Sequence, residues 1–227
     1  MQITEIFYSI QGEGKFVGMP SVFIRVANCN LRCVWCDTKY ASWAPEAQDW
    51  PISDIVHAIE PFPTQYVVIT GGEPCFAPEI ALLTQHLHSL GKHITLETNG
   101  TIYPQGIVAD LVSISPKLSH SIPKDSQWAE HQKAHCLKPE ILKQWHSHFE
   151  CQFKFVVACP SDLQEIQDII QQLDPTPANG QILLMPLGTT AQSLTQQSQW
   201  VIQECLTHGY RFCTRLHIYL FGERRGI

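Results

Sequence analysis

Cys29, Cys33 and Cys36 stand in the run Cys29-Asn30-Leu31-Arg32-Cys33-Val34-Trp35-Cys36, a C-x3-C-x2-C spacing. Three thiolates on one tight loop can reach three corners of a 4Fe–4S cubane and leave the fourth iron without a protein thiolate. An open iron takes an exchangeable ligand, as an open zinc position takes water. Structural zinc is the competing reading, but it asks for four protein ligands, so His57, Cys75 or another distant residue would have to join. A second run, Thr70-Gly71-Gly72-Glu73-Pro74, pairs two glycines that let a ligand approach the backbone with a carboxylate that can accept from an ammonium. A strand-to-helix turn alone would also explain it.

These residues need a frame. Ser21–Ala27, Tyr66–Thr70, His93–Thr98, Leu111–Ser115, Phe153–Val157, Ile182–Pro186 and Leu216–Leu220 are short, apolar and rich in β-branched residues, which predicts strands. Helical periodicity predicts helices over Ser53–Ile59, Pro78–Leu90, Pro139–Phe149, Ser161–Leu173 and Ala191–His208, with Ser53 and Ser161 as caps. Strands that alternate with helices imply parallel β-α units. About six such units fall short of a closed eight-stranded barrel, so the expectation is an α/β partial (β/α)6-type TIM-like barrel in a single domain over 1–227. Residues 40–51 and 117–138 look irregular, the second as a surface insertion. Ligands of parallel α/β folds sit at the carboxyl ends of strands. The cysteine run, the TGGEP run, Glu97-Thr98-Asn99-Gly100, Ser115-Pro116-Lys117 and Met185-Pro186-Leu187-Gly188 all fall at such ends.

Composition narrows the classes. The 227 residues are 44% hydrophobic and 16% charged, as in a compact enzyme. The net charge is −6 with no basic cluster beyond Arg224-Arg225, which argues against nucleic acid as a direct substrate. No apolar run approaches the roughly 20 residues of a membrane span, and no secretory signal opens the chain, so a cytoplasmic location is expected. The nine cysteines fit a reducing compartment in which three are metal ligands and the others buried sulfurs. Cys75, beside Pro74, reads as one of those others rather than as a catalytic thiol.

The cysteine spacing, the aromatic Trp35 before the last cysteine and the GGEP run resemble the radical S-adenosylmethionine superfamily. The wider set SIQGEG, FIRVANCNLRCVWCDT, TGGEP, ETNG and SPK resembles 7-carboxy-7-deazaguanine synthases over most of the chain. That resemblance implies a 4Fe–4S cluster on Cys29, Cys33 and Cys36 and an S-adenosylmethionine whose amino and carboxylate groups bind the open iron. It further implies magnesium on Thr38 and ring contraction of 6-carboxy-5,6,7,8-tetrahydropterin to 7-carboxy-7-deazaguanine and ammonia.

It assigns Ile10, Gln11, Gly12, Glu13, Gly14, Arg25, Thr70 and Ile227 to the pterin. Gly72, Glu73, Glu97, Asn99, Ser115, Pro116, Lys117 and Met185–Gly188 fall to S-adenosylmethionine. Arg25 offers a planar fork for the substrate carboxylate, and Gln11 and Glu13 offer donors and acceptors for the pterin edge. Taken alone, Arg25 reads as salt-bridged, Thr38 as loop closure, Lys117 as solvated and His217 as a satisfied core or surface histidine. An electron donor such as flavodoxin and a homodimer are implied too. The competing functions are an activase that makes a glycyl radical on a partner protein, which would not need QGEG with CDT, and a non-catalytic zinc module.

Overall fold

The computed structural model describes residues 1–124, 127–222 and 224–227. Its strands are β1 (Gln2–Ile10), β2 (Pro20–Val26), β3 (Gln48–Asp49), β4 (Tyr66–Gly71), β5 (His93–Thr98), β6 (Leu111–Ile114), β7 (Cys151–Val157), β8 (Ile182–Pro186) and β9 (Arg211–Phe212). The helices are α1 (Lys39–Ser42), α2 (Ile52–Ile59), α3 (Ile80–Ser89), α4 (Ala129–His135), α5 (Pro139–His148), α6 (Asp162–Gln171), α7 (Ala191–His208) and α8 (Leu216–Phe221).

All nine strands form one sheet in the order β3-β1-β2-β4-β5-β6-β7-β8-β9. From β2 to β9 every neighbouring pair is parallel, while β1 runs antiparallel to β2 and β3. β3 and β9 end the order, so the sheet is open and the fold is a partial TIM-like barrel. Parallel strands covered on both faces read as continuous apolar runs, and β6, β7 and β8 are buried at every position. α2, α3, α5, α6 and α7 send Ile55, Leu83, Trp145, Ile166 and Val201 into the core.

Several elements depart from the sequence expectation. β1 was not foreseen: most of its residues are half-buried on both faces, which blurs the two-residue alternation that marks a strand. It is held by pairing to β2, where Phe7 lies opposite Phe23 and their rings stack at 4.9 Å. Leu216–Leu220 is expected as a strand but forms α8. The alternating pattern is real, yet β9 already occupies the edge beside β8, and Leu216 N–H donates to Gly12 O (2.9 Å), tying the segment's start to the Gln11–Gly14 loop.

Ser53 lies inside α2, after Pro51 at the cap position, and bonds Asp54 instead. Ser161 occupies the cap of α6, but Asp162 Oδ2 accepts from the Ala158 and Cys159 N–H groups (2.7 and 3.2 Å). Residues 40–51 hold the end of α1 and all of β3. Residues 117–138, apart from 125–126, carry α4 with Leu118, Ser121, Gln132 and Cys136 buried, so this stretch covers the cysteine loop rather than standing off as a surface insertion. Among the described residues no helix is long and apolar enough to cross a membrane.

Candidate active site

The strand ends border a cavity of about 680 Å³. The cysteine loop forms one wall. Asn28 starts it at φ +72°, a left-handed conformation that asparagine tolerates better than other non-glycine residues. Arg32 clamps the loop from within, its guanidinium donating to Cys29 O (2.7 Å) and Leu31 O (2.8 Å). From outside, Ser121 O accepts from Val34 N–H (3.0 Å) and Gln132 Oε1 from Arg32 N–H (2.6 Å). Cys29, Cys33 and Cys36 all line the cavity as free thiols. Burial pushes the Cys29 thiol up to about 12 and raises Cys33 as well, so loading with iron must release their protons.

Among the described residues no three Cys, His, Asp or Glu side chains converge on a single ion. A cubane asks for less, because each thiolate meets its own iron. Three free thiols on one loop at the edge of a cavity fit such a cluster.

Gly71 and Gly72 are required, but for the protein's own backbone. Gly72 N–H bonds Val26 O (2.9 Å), and a Cβ on Gly72 would stand 2.0 Å from Asn28 O and 3.1 Å from Cys29 N. Gly72→Ala therefore has to push the start of the cysteine loop aside. We expect a loss of about 1–3 kcal/mol in urea unfolding, together with faster loss of bound iron; iron retention equal to the parent's would separate this turn from the cysteine loop.

Glu73, foreseen as a ligand contact, is fully buried and does not border the cavity. Its carboxylate accepts from Thr98 Oγ1 (2.7 Å), Asn99 N (2.6 Å) and Cys75 N (3.0 Å), pinning the end of β5 to β4. Burial outweighs these bonds and raises its pKa.

A chain of charges also borders the cavity and ends at Asp37, beside Cys36. Lys154 Nζ lies between Glu13 Oε2 (2.5 Å) and Glu97 Oε2 (2.8 Å), with only 5% of its side chain exposed. Gln11 Nε2 donates to Glu97 Oε1 (3.3 Å). Arg215 continues the chain to Glu13 Oε1 (3.2 Å), Gly188 O (2.6 Å) and Asp37 Oδ2. Burial alone would raise the Glu13 pKa, but Lys154 and Arg215 outweigh it and hold the carboxyl well below the usual range. The reverse holds for Lys154: burial lowers its pKa, and Glu13 and Glu97 more than restore it. Asp37 Oδ1 also accepts from Thr38 Oγ1 (2.6 Å).

Arg25 lines the cavity with Nε on Glu5 Oε1 (2.6 Å), its cross-strand partner. The tail closes this side. Arg225 stacks 3.6 Å over the Tyr40 ring, and Ile227 borders the cavity.

The Radical SAM superfamily profile matches residues 23–122. The 7-carboxy-7-deazaguanine synthase of Halobacterium salinarum is 37% identical across 98% of this chain and 91% of its own length. That of Rhodopirellula baltica is 41% identical across 99% and 88%. This chain belongs to the 7-carboxy-7-deazaguanine synthase family. The crystal structure of QueE from Escherichia coli superposes with a TM-score of 0.75 at 25% identity, over 95% of this chain and 94% of that one.

In this family member, Ile10, Gln11, Gly12, Glu13, Arg25, Thr70, Gly72, Glu97, Asn99, Ser115, Lys117, Met185–Gly188, Thr38 and Ile227 come together around the one cavity with the three cysteines. Gly14, Glu73 and Pro116 do not border it. Gly12 and Gly14 are also required for packing: a Cβ would strike His217 Nδ1 or Gln152 Nε2, each at 2.1 Å.

Lys154 and Arg215 were missed, and His217, read as a core or surface histidine, lines the cavity. Burial lowers the His217 pKa, which favours the neutral ring. Lys154 had a signal, since a lone lysine inside the apolar run Phe153–Val157 is rarely buried unless paired.

Proposed function

We infer that this chain converts 6-carboxy-5,6,7,8-tetrahydropterin to 7-carboxy-7-deazaguanine with release of ammonia, in the route to queuosine and related deazapurines. The observation that carries this reading is one cavity lined by the three cysteines together with Arg25 and the Glu13–Lys154–Glu97 chain, in a chain that matches this family over 98% of its length. Bound at Cys29, Cys33 and Cys36, the cluster with S-adenosylmethionine supplies a hydrogen-abstracting radical.

The remaining work falls to this chain's residues. Among the described residues Arg25 hydrogen-bonds only through Nε, to Glu5, with its guanidinium over the Phe7 and Tyr40 rings, which leaves both terminal NH2 groups for the substrate carboxylate. Glu97, which the resemblance assigned to S-adenosylmethionine, is held by Lys154 and Gln11 beside Glu13, and in this reading it presents its carboxylate to the pterin edge instead, with Gln11 and Glu13 completing that side. Gly72, Ser115, Lys117 and Met185–Gly188 border the cavity at the strand ends and would hold S-adenosylmethionine. The buried Glu73 would act there through the backbone it positions. Lys117 bonds Ser115 Oγ (2.7 Å) and stands 5.4 Å from the Trp35 ring centre.

Thr38 is the magnesium ligand in this reading. Its hydroxyl hydrogen goes to Asp37, leaving oxygen lone pairs for a hard cation. Thr38→Ala should keep full iron content and weaken magnesium dependence at least about tenfold, since even outer-sphere partners of a metal are worth 10–100-fold. Unchanged magnesium dependence would remove Thr38 from the site.

We further propose a one-electron donor such as flavodoxin, a homodimer, and a cytoplasmic setting that keeps the nine thiols reduced. Light scattering tests the dimer. The decisive experiment is anaerobic turnover of reconstituted protein with the pterin, S-adenosylmethionine, reductant and magnesium. Deazaguanine that requires all four supports the reading; S-adenosylmethionine cleavage without it removes the substrate.

A further inference from the structure

Only one side-chain N–H group reaches a sulfur of the cysteine loop among the described residues. Gln132, on α4, is completely buried, and its Nε2 stands 3.3 Å from Cys33 Sγ. The same amide is fixed at its other end, where Oε1 accepts from Arg32 N–H at 2.6 Å. Ser121 O (3.1 Å) and Ser121 Oγ (3.2 Å) share the two Nε2 hydrogens with the sulfur. The orientation is therefore settled by its neighbours: the oxygen must face Arg32 and the NH2 must face Cys33, because only that placing gives a donor to each acceptor.

The other two thiols are treated differently. Cys29 receives a backbone N–H, from Leu31 at 3.4 Å. Ser42 Oγ lies 3.4 Å from Cys36 Sγ, but its hydrogen bonds Thr38 O at 2.9 Å, so it has no second hydrogen for a thiolate.

We propose that Gln132 is a positioning residue that sets the reduction potential of the cluster through Cys33. The inference rests on the reading that the three cysteines hold a 4Fe–4S cluster. On reduction one electron enters from a low-potential one-electron donor, and no bond or proton moves at Gln132. The added negative charge spreads onto the thiolate sulfurs, and an N–H aimed at one of them stabilises the reduced state more than the oxidised one. Hydrogen bonds to ligand sulfurs and burial are the levers a protein has over such potentials. The segment over residues 117–138 thereby acquires a role, because it carries a donor to the cluster that the cysteine loop does not supply itself.

The test begins with unaltered protein, reconstituted after labelling glutamine side chains with 15N. Pulsed electron paramagnetic resonance of the reduced cluster should show a 15N coupling, since Gln132 is the glutamine at hydrogen-bond distance from a ligand sulfur. A loaded, reduced cluster without that coupling overturns the proposal, whereas protein that loads no cluster overturns the functional reading beneath it.

Gln132→Met, of similar length and without a donor, should abolish the coupling and make the cluster about tenfold harder to reduce, a fall of about 59 mV in midpoint potential for one electron. A purely structural role would lower iron content and leave the potential of the loaded fraction unchanged, and that result would overturn the proposal. Where Gln132→Met fails to load, Gln132→Glu retains the acceptor for Arg32. Measured at alkaline pH, where a carboxylate cannot donate and adds a negative charge beside the sulfur, it should shift the potential down by more than about 59 mV; an unshifted potential counts against the proposal equally.

Discussion

Lys154→Met should remove about 3–5 kcal/mol of stability at neutral pH, the usual cost of deleting one partner of a buried ion pair. The size follows from where the charges sit. Glu13 and Glu97 expose only 14% and 15% of their side chains around a lysine exposed to 5%. Glu13 would keep Arg215 as a partner, but Glu97 would be left with the single bond from Gln11.

The pH dependence carries the sign. The Glu13 pKa is depressed in the fold, so its contribution is present above the ordinary carboxyl range, about pH 4–5, and fades as pH falls. The Lys154 pKa is raised, so its contribution is present below about pH 10 and fades as pH climbs through the ordinary lysine value. The parent protein should show a plateau between these limits. The variant lacks the Lys154 charge that helps hold the Glu13 carboxyl down, so the deficit measured by urea unfolding should stay level from pH 7 to about pH 5 and shrink as pH falls below about 4. A deficit that does not change with pH, or one below about 1 kcal/mol, would mean that the three charges are not coupled as their distances imply. Turnover should fall by about 10²-fold, the scale of a 1 Å misplacement of a contacting group.

Lys154 also shows how far the sequence reaches. The layered α/β plan, the partial barrel and the cysteine loop at the end of β2 were legible because parallel strands and C-x3-C-x2-C spacing are local patterns. The antiparallel β1 was not, since it is half-buried on both faces and draws its pairing from β2. α8 was misread because its alternation is genuine, and only tertiary contact with Gly12 and the occupied edge of β8 decide against a strand.

Glycines divide in the same way. Sequence shows glycines at 12, 14 and 72, but not that a Cβ there would meet His217, Gln152 and Asn28 of the chain itself. Arg215 had no signal at all. Its partners Asp37 and Glu13 lie 178 and 202 residues away along the chain, a pairing that no spacing rule reports.

Cys33→Ala should abolish iron binding and S-adenosylmethionine cleavage together, and the loss should be complete rather than graded. A cubane held by three thiolates has no spare protein ligand, and no other described residue brings Cys, His, Asp or Glu side chains together as a metal site. Cys75→Ala is the matched control. Cys75 is as buried as Cys33 and its pKa is also raised by burial, but it packs in the main core beside Glu73 rather than on the cysteine loop. It should lose about 1 kcal/mol of stability, as for about one buried methylene-sized group, and keep its full iron content.

Iron determination and the visible iron–sulfur absorption read both variants, while urea unfolding reads the folding cost separately. If Cys75→Ala lost iron as Cys33→Ala does, burial rather than ligation would be what the two share, and the assignment of the loop as cluster ligand would fall. Should the parent instead load zinc and no iron, both variants would become tests of a structural site. The chain of Glu13, Lys154 and Glu97 would then border a cavity with no radical to direct.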